Sequence, residues 1–134
     1  VALGVSAIGR IGATYSQNAK TLDSYYDLLD QGRLPVVRGL ALSRDDVLRR
    51  AVIMAVMCKG RVDFDAISEA HRIDFRHYFA TEFAALGPLA AEGLVRVSDH
   101  DIEVTAQGWF VVRAIAMVFD RYCRENRTRF SRVV

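Results

Sequence analysis

Apolar and polar positions along the chain follow two different periods. In the stretch from Thr21 to Leu29, apolar residues fall at Leu22, Tyr25, Tyr26 and Leu29. That is the i, i+3, i+4, i+7 stripe of an amphipathic helix, and Gly32 ends it. The run from Leu34 to Leu42 reads as extended, because Pro35 excludes a helix there. Ser43 with Asp46 three residues on is a helix-capping signal, so a helix is predicted from Arg44 to about Lys59, with Gly60 at its end. Every residue from Ala51 to Cys58 is apolar, and this helix is expected to be buried nearly all round. Asp63 predicts the cap of a shorter helix with Phe64, Ile67 and Ala70 facing inward. Asp74 predicts a third, where Phe75, Phe79, Phe83 and Leu86 recur at helical spacing and read as core. Gly87-Pro88 is expected to interrupt it, with a last turn running to Gly93.

The period then shortens to two. Leu94–Val97 and Ile102–Val104 alternate about a turn at Ser98–Asp101, which predicts a β-hairpin. Thr105 predicts the cap of a long final helix from Ala106 to about Asn126. At the other end, Val1–Ile8 reads as a strand with no partner in the N-terminal part. Glycines stand at 4, 9 and 12, of which Gly9 and Gly12 suggest a tight path around something that needs room, and a ligand-free turn accounts for the same spacing. The spacing is not that of the dinucleotide fingerprint.

Helix, helix, helix, hairpin, helix is the order of a winged-helix module. The fold class expected is therefore mainly α, a winged-helix-like helical domain with a small β-hairpin over residues 43–134. Modules of this order often read DNA, and Arg72 and Arg76 near the third helix's start fit that alternative. Asp74 and Glu82 on the same helix oppose it, as do Asp99 and Asp101 in the turn, where phosphate contacts need cations.

Composition narrows the field. A length of 134 residues, 51% hydrophobic, suits one compact core. A net charge of +2 does not mark a nucleic-acid or membrane partner. Of the eighteen cations only Lys20 and Lys59 are lysine, and arginine's planar fork suits carboxylates and phosphates. Cys58 and Cys123 stand far apart, too few for a disulfide scaffold and without the clustered thiols of an iron–sulfur site. His71, His77 and His100 lack metal-ligand spacing. No run approaches the ~20 apolar residues of a membrane span, and no secretory leader is seen, so a cytoplasmic location is expected. Val1 in place of an initiator methionine suggests a piece of a longer polypeptide.

Four ordered blocks resemble one family. They are GVSAIGRIGATYSQNAKTLDSYY from Gly4 to Tyr26 and RGLALSRDDVLRRAVI from Arg38 to Ile53. Next come the run from Gly87 to Tyr122 (GPLAAEGLVRV, IEVTAQG, VVRAIAMVFDRY) and the terminal FSRVV from Phe130 to Val134. Together they resemble the C-terminal region of bacterial oxygen-independent coproporphyrinogen III oxidase, a radical SAM enzyme of haem biosynthesis. The resemblance implies that residues 1–42 are the last strand and helix of a truncated radical SAM barrel plus a connecting arm. Residues 43–134 would pack on that upstream barrel domain and cover it. It also implies a [4Fe–4S] cluster and S-adenosyl-L-methionine in the full-length enzyme, with the cluster ligands absent from this chain. A radical generated there would lead to oxidative decarboxylation of coproporphyrinogen III to protoporphyrinogen IX. The fragment alone is expected to be inactive, and the enzyme a monomer without nucleic-acid or membrane partners. The family places the isoleucine of the GVSAI motif, Ile8, against S-adenosylmethionine. The substrate carries four carboxylates, for which Arg10 and Arg38 are the candidate partners. No catalytic residue and no metal ligand is assigned.

Overall fold

The computed structural model describes residues 2–125. The FSRVV block, Arg127, Arg129 and Arg132, and the expected helix end at Asn126 lie outside the described residues. The chain divides into two compact units, Val1–Val47 and Leu48–Val134. The fold is a mixture of helix and sheet, with two three-stranded antiparallel sheets in place of the expected mainly α fold with one N-terminal strand and one small hairpin.

In the first unit, β1 (Ile8–Ile11), β2 (Thr14–Asn18) and β3 (Val36–Ala41) form a sheet in the order β1-β2-β3, and α1 (Leu22–Asp30) sits in the β2–β3 connection. The N-terminal strand thus begins at Ile8, and it has a partner. Gly12, at φ +56°, takes the left-handed conformation that the tight β1–β2 turn needs. Thr21 caps α1 by accepting from the Ser24 N–H. The Leu22, Tyr26 and Leu29 stripe of α1 is exposed in this chain. Pro35 and Ala19 are buried side by side, the Ala19 N–H donating to the Pro35 carbonyl at 2.8 Å.

Helix α2 (Arg44–Lys59) opens on a reciprocal cap. The Asp46 N–H donates to Ser43 Oγ at 3.1 Å, and the Ser43 N–H donates to Asp46 Oδ2 at 2.9 Å. Its fully buried residues are Leu48, Val52 and Val56, one per turn, while Met54 and Cys58 are exposed. The expectation of all-round burial is corrected to one face. A run of apolar letters cannot tell a helix enclosed by its own fold from one with a bare side.

In the second unit, β4 (Arg61–Asp63), α3 (Phe64–His71), α4 (Phe75–Tyr78), α5 (Ala80–Ala91), β5 (Val95–Val97) and β6 (Asp101–Val104) follow in order. The sheet runs β4-β6-β5, so a third strand joins the predicted hairpin. Asp63 and Asp74 cap α3 and α4, accepting from the Ala66 and His77 N–H groups. The helix breaks at Phe79, and α5 then runs through Pro88 rather than being interrupted there. Phe75, Phe79 and Leu86 are buried, with Phe83 partly buried against them. Phe79 also meets Phe119 edge to face at 5.6 Å between ring centres. Val62, Ile102, Val104, Val95 and Ile115 complete this core.

The single long C-terminal helix is not formed. A 3-10 turn (Gly108–Val111), α6 (Val112–Met117) and α7 (Arg121–Glu125) replace it. Asp120 explains the last break, since its Oδ1 accepts from the Tyr122 and Cys123 N–H groups and caps a new helix. No described helix is long and apolar enough to cross a membrane.

Candidate functional site

Ile8, Arg10 and Arg38 come from the first unit, and strand pairing brings them onto one sheet face. Ile8 lies opposite Gln17, which lies opposite Arg38. Two residues along, Arg10 lies opposite Tyr15, which lies opposite Leu40. Directly paired antiparallel residues share a face, as do residues two apart on a strand. Ile8, Arg10, Tyr15, Gln17, Arg38 and Leu40 therefore form one surface. The spacing of three adjacent strands sets Ile8 and Arg38 about 10 Å apart.

This surface is open. Ile8 is 68% and Leu40 60% exposed, Arg10 and Arg38 are exposed, and Tyr15 and Gln17 are half-buried. Arg10 Nε donates to the Gly12 carbonyl at 2.9 Å, which leaves the two terminal nitrogens of its fork outside that bond. The Arg38 side chain makes no hydrogen bond or ion pair among the described residues, its backbone being paired with Gln17. The three strands carry two arginines and no acid, so the face favours an anion beside an apolar patch.

The opposite face is taken by the chain itself. Gly9 pairs with Ser16, and a Cβ at Gly9 would lie 3.1 Å from the Ala2 nitrogen and 3.2 Å from Ser16 Oγ. Asn18, 3% exposed, donates through Nδ2 to the carbonyls of Ala2 at 3.1 Å and Gly4 at 3.0 Å. The room at Gly9 therefore serves the incoming backbone rather than a ligand. Ser6, at φ +60°, turns the chain toward β1 while its N–H donates to the Ala19 carbonyl. Asn18's clamp has no signature in the sequence. Gln17 and Tyr15 could have been placed on the Ile8 face by recognising the Ile11–Thr14 hairpin and counting back along both strands.

The iron–sulfur cluster does not fit this chain. Cys58 and Cys123 are its two free thiols, and no group of three potential metal ligands exists among the described residues. The Cys123 thiol is pushed up from its ordinary value, by burial first and then by its hydrogen bond to Asp120, which disfavours the thiolate a metal needs. The second unit also holds an apolar groove of about 400 Å³ lined by Ala85, Pro88, Leu89, Ala114, Met117, Val118 and Cys123.

The DNA-reading alternative finds no support in the cations of the third helix. Arg76 is committed within the fold, donating to the Ser98 carbonyl at 2.6 Å and to Asp99 at 3.1 Å. Its guanidinium also lies over the rings of Phe64 and Phe83.

Comparison with known proteins gives the chain its relatives. An oxygen-independent coproporphyrinogen III oxidase of Pseudomonas aeruginosa is 46% identical over 135 residues, covering 100% of this chain and 29% of that protein. The Escherichia coli protein of the same name is 43% identical over 134 residues, with 98% of this chain and 29% of that protein covered. The chain thus spans under a third of the length of each of these two relatives. A solved structure described as "Coproporphyrinogen III oxidase (HemN) from Escherichia coli is a Radical SAM enzyme" superposes with a TM-score of 0.85. It is 44% identical, over 90% of this chain and 28% of that one. The family pattern described as HemN C-terminal domain matches residues 42–111, more than half of the sequence, and the chain therefore belongs to the HemN C-terminal domain family.

Proposed function

We propose that this chain is the C-terminal part of an oxygen-independent coproporphyrinogen III oxidase, which converts coproporphyrinogen III to protoporphyrinogen IX by oxidative decarboxylation. In this reading residues 1–42 close the end of the radical SAM barrel and supply the connecting arm. Residues 43–134 form the winged-helix-like domain that covers it. The enzyme would act as a cytoplasmic monomer, without nucleic-acid or membrane partners.

The observation that carries the reading is the shared face of Ile8, Arg10 and Arg38, in a chain whose relatives bear that enzyme's name. Ile8 offers an exposed aliphatic side chain that can cover a flat adenine, and it would bind S-adenosylmethionine by excluding water from that ring. Arg10 and Arg38 would each grip a propionate of the substrate through paired N–H donors, a geometry lysine cannot match. When bound, S-adenosylmethionine supplies the hydrogen-abstracting chemistry, and the cluster that activates it belongs to polypeptide outside this chain. The chain's own work is binding, orientation and exclusion of water from the reacting groups.

The test uses the full-length enzyme. Ile8→Asp is expected to weaken equilibrium binding of S-adenosylmethionine by about tenfold or more, because it sets a charge against an apolar ring. Arg10→Ala and Arg38→Ala are each expected to raise the KM for coproporphyrinogen by about tenfold, the worth of one charge-assisted bond. Unaltered cofactor affinity in the first variant removes Ile8 from the site. Unaltered KM in both arginine variants removes the substrate assignment.

A further inference from the structure

We infer that Gln17 contacts the substrate, its side-chain amide donating a hydrogen bond to the same carboxylate that Arg38 holds. The inference rests on the reading of Ile8 and Arg38 given above, and it deepens that reading by adding a residue between them.

Gln17 is the middle position of the row Ile8–Gln17–Arg38, directly opposite each of the other two. Its neighbours on this face are therefore an aliphatic side chain on one strand and a guanidinium on the other. Directly opposed side chains start from Cβ atoms about 5 Å apart, so anything that touches both Ile8 and Arg38 passes over Gln17. The side chain is half-buried, and its amide makes no hydrogen bond among the described residues. In the free chain water can satisfy that amide. Once a flat cofactor covers Ile8 and a tetrapyrrole carboxylate meets Arg38, water is displaced, and an unpaired amide there would be costly.

The chemistry of the carboxylate supplies the partner. An ionised carboxylate has about four acceptor positions, and a bidentate arginine fork uses two of them. A neutral amide N–H is suited to a third, since it adds a donor without adding charge. Glutamine in this place also separates the apolar and cationic ends of the face without pairing off Arg38, as a glutamate would.

The test again uses the full-length enzyme, with KM for coproporphyrinogen and equilibrium binding of S-adenosylmethionine measured separately. Gln17→Leu keeps the bulk and removes the donor, and is expected to raise KM by about tenfold while leaving cofactor affinity within about twofold. Gln17→Glu is expected to raise KM further, because the introduced carboxylate pairs with Arg38 and repels the substrate. In the double variant Gln17→Leu/Arg38→Ala, KM should rise by less than the product of the two single effects, since both residues hold one carboxylate. A Gln17→Leu enzyme with unaltered KM, or single effects that simply multiply, overturns the inference and leaves the assignments of Ile8 and Arg38 standing. An Arg38→Ala enzyme with unaltered KM overturns both.

Discussion

Arg49 Nη1 donates to Glu82 Oε1 at 2.8 Å across the interior of the second unit, from a side chain 14% exposed to one 2% exposed. The same nitrogen donates to the Phe119 carbonyl at 3.0 Å, and the guanidinium lies over the Phe79 ring. One cation thereby ties α2, α5 and the chain end of α6 around an aromatic core. Removing one partner of a buried pair leaves the other charge uncompensated, which costs about 3–5 kcal/mol, whereas replacing both with apolar groups can be nearly neutral. Glu82→Ala is therefore expected to destabilise the protein by that amount in urea unfolding. Arg49→Met/Glu82→Leu should recover part of the loss. A single variant within about 1 kcal/mol of the parent would mean that the pair is effectively solvated.

Gly108 permits a backbone crossing that no other residue allows. A Cβ there would overlap the Leu94 carbonyl, which cannot easily retreat because it already accepts from the Thr105 N–H at 3.1 Å and from Thr105 Oγ1 at 3.2 Å. Gly108→Ala is expected to cost about 2–3 kcal/mol through overpacking. Urea unfolding should show a lower midpoint with an unchanged slope, and a midpoint equal to the parent's would refute the steric account.

Asp101 makes the β5–β6 turn sensitive to acid. Ser98 Oγ donates to its Oδ1 at 2.6 Å and Arg61 Nε to its Oδ2 at 2.8 Å. The Ser98 hydrogen bond has the largest effect and holds the carboxyl below its ordinary value of 3.8; desolvation comes next and opposes it, and the Arg61 hydrogen bond and charge add to the lowering. A carboxyl whose folded-state value is depressed stabilises the fold fully above its unfolded value, and the benefit is lost as pH falls through the folded value. Asp101→Asn should therefore melt below the parent near pH 7, and the gap should narrow as pH falls below the carboxyl's ordinary value of 3.8 and through its lower folded-state value. A gap that persists in acid would point to the amide's geometry rather than to charge.

Much of this fold is legible in single residues. Ser43, Asp63 and Asp74 announce helix starts because a short polar side chain can satisfy first-turn N–H groups without help from distant parts of the chain. The aromatic stripe of Phe75 and Phe79 is legible for the same local reason, its spacing. What escaped depends on competition or on distance. Asp120 looks like one more polar letter in a long helix until its carboxylate captures two N–H groups and restarts the helix. Strand β4 holds one apolar residue, Val62, so no period can announce it, and only pairing with β6 makes it a strand. For the candidate site, the motif pointed to Ile8 through resemblance, and the arginines through their chemistry. That all three share a face follows from the β1–β2–β3 register, which Asn18, Gly9 and the Ala2 backbone enforce from behind.

Taken by itself, the first unit has a three-stranded ladder, with one register irregularity between Gln17 and Asn18, and almost nothing beneath it. Among its described apolar residues only Ala19 and Pro35 are buried, while Leu22, Tyr26, Leu29, Val37 and Leu40 stand in solvent. Heat-capacity change on unfolding measures apolar surface that water regains, and here there is little to regain. For this chain taken alone, a calorimeter would consequently register cooperative melting chiefly through the core of the second unit, with the three-stranded sheet fraying gradually and almost without a thermal signal of its own.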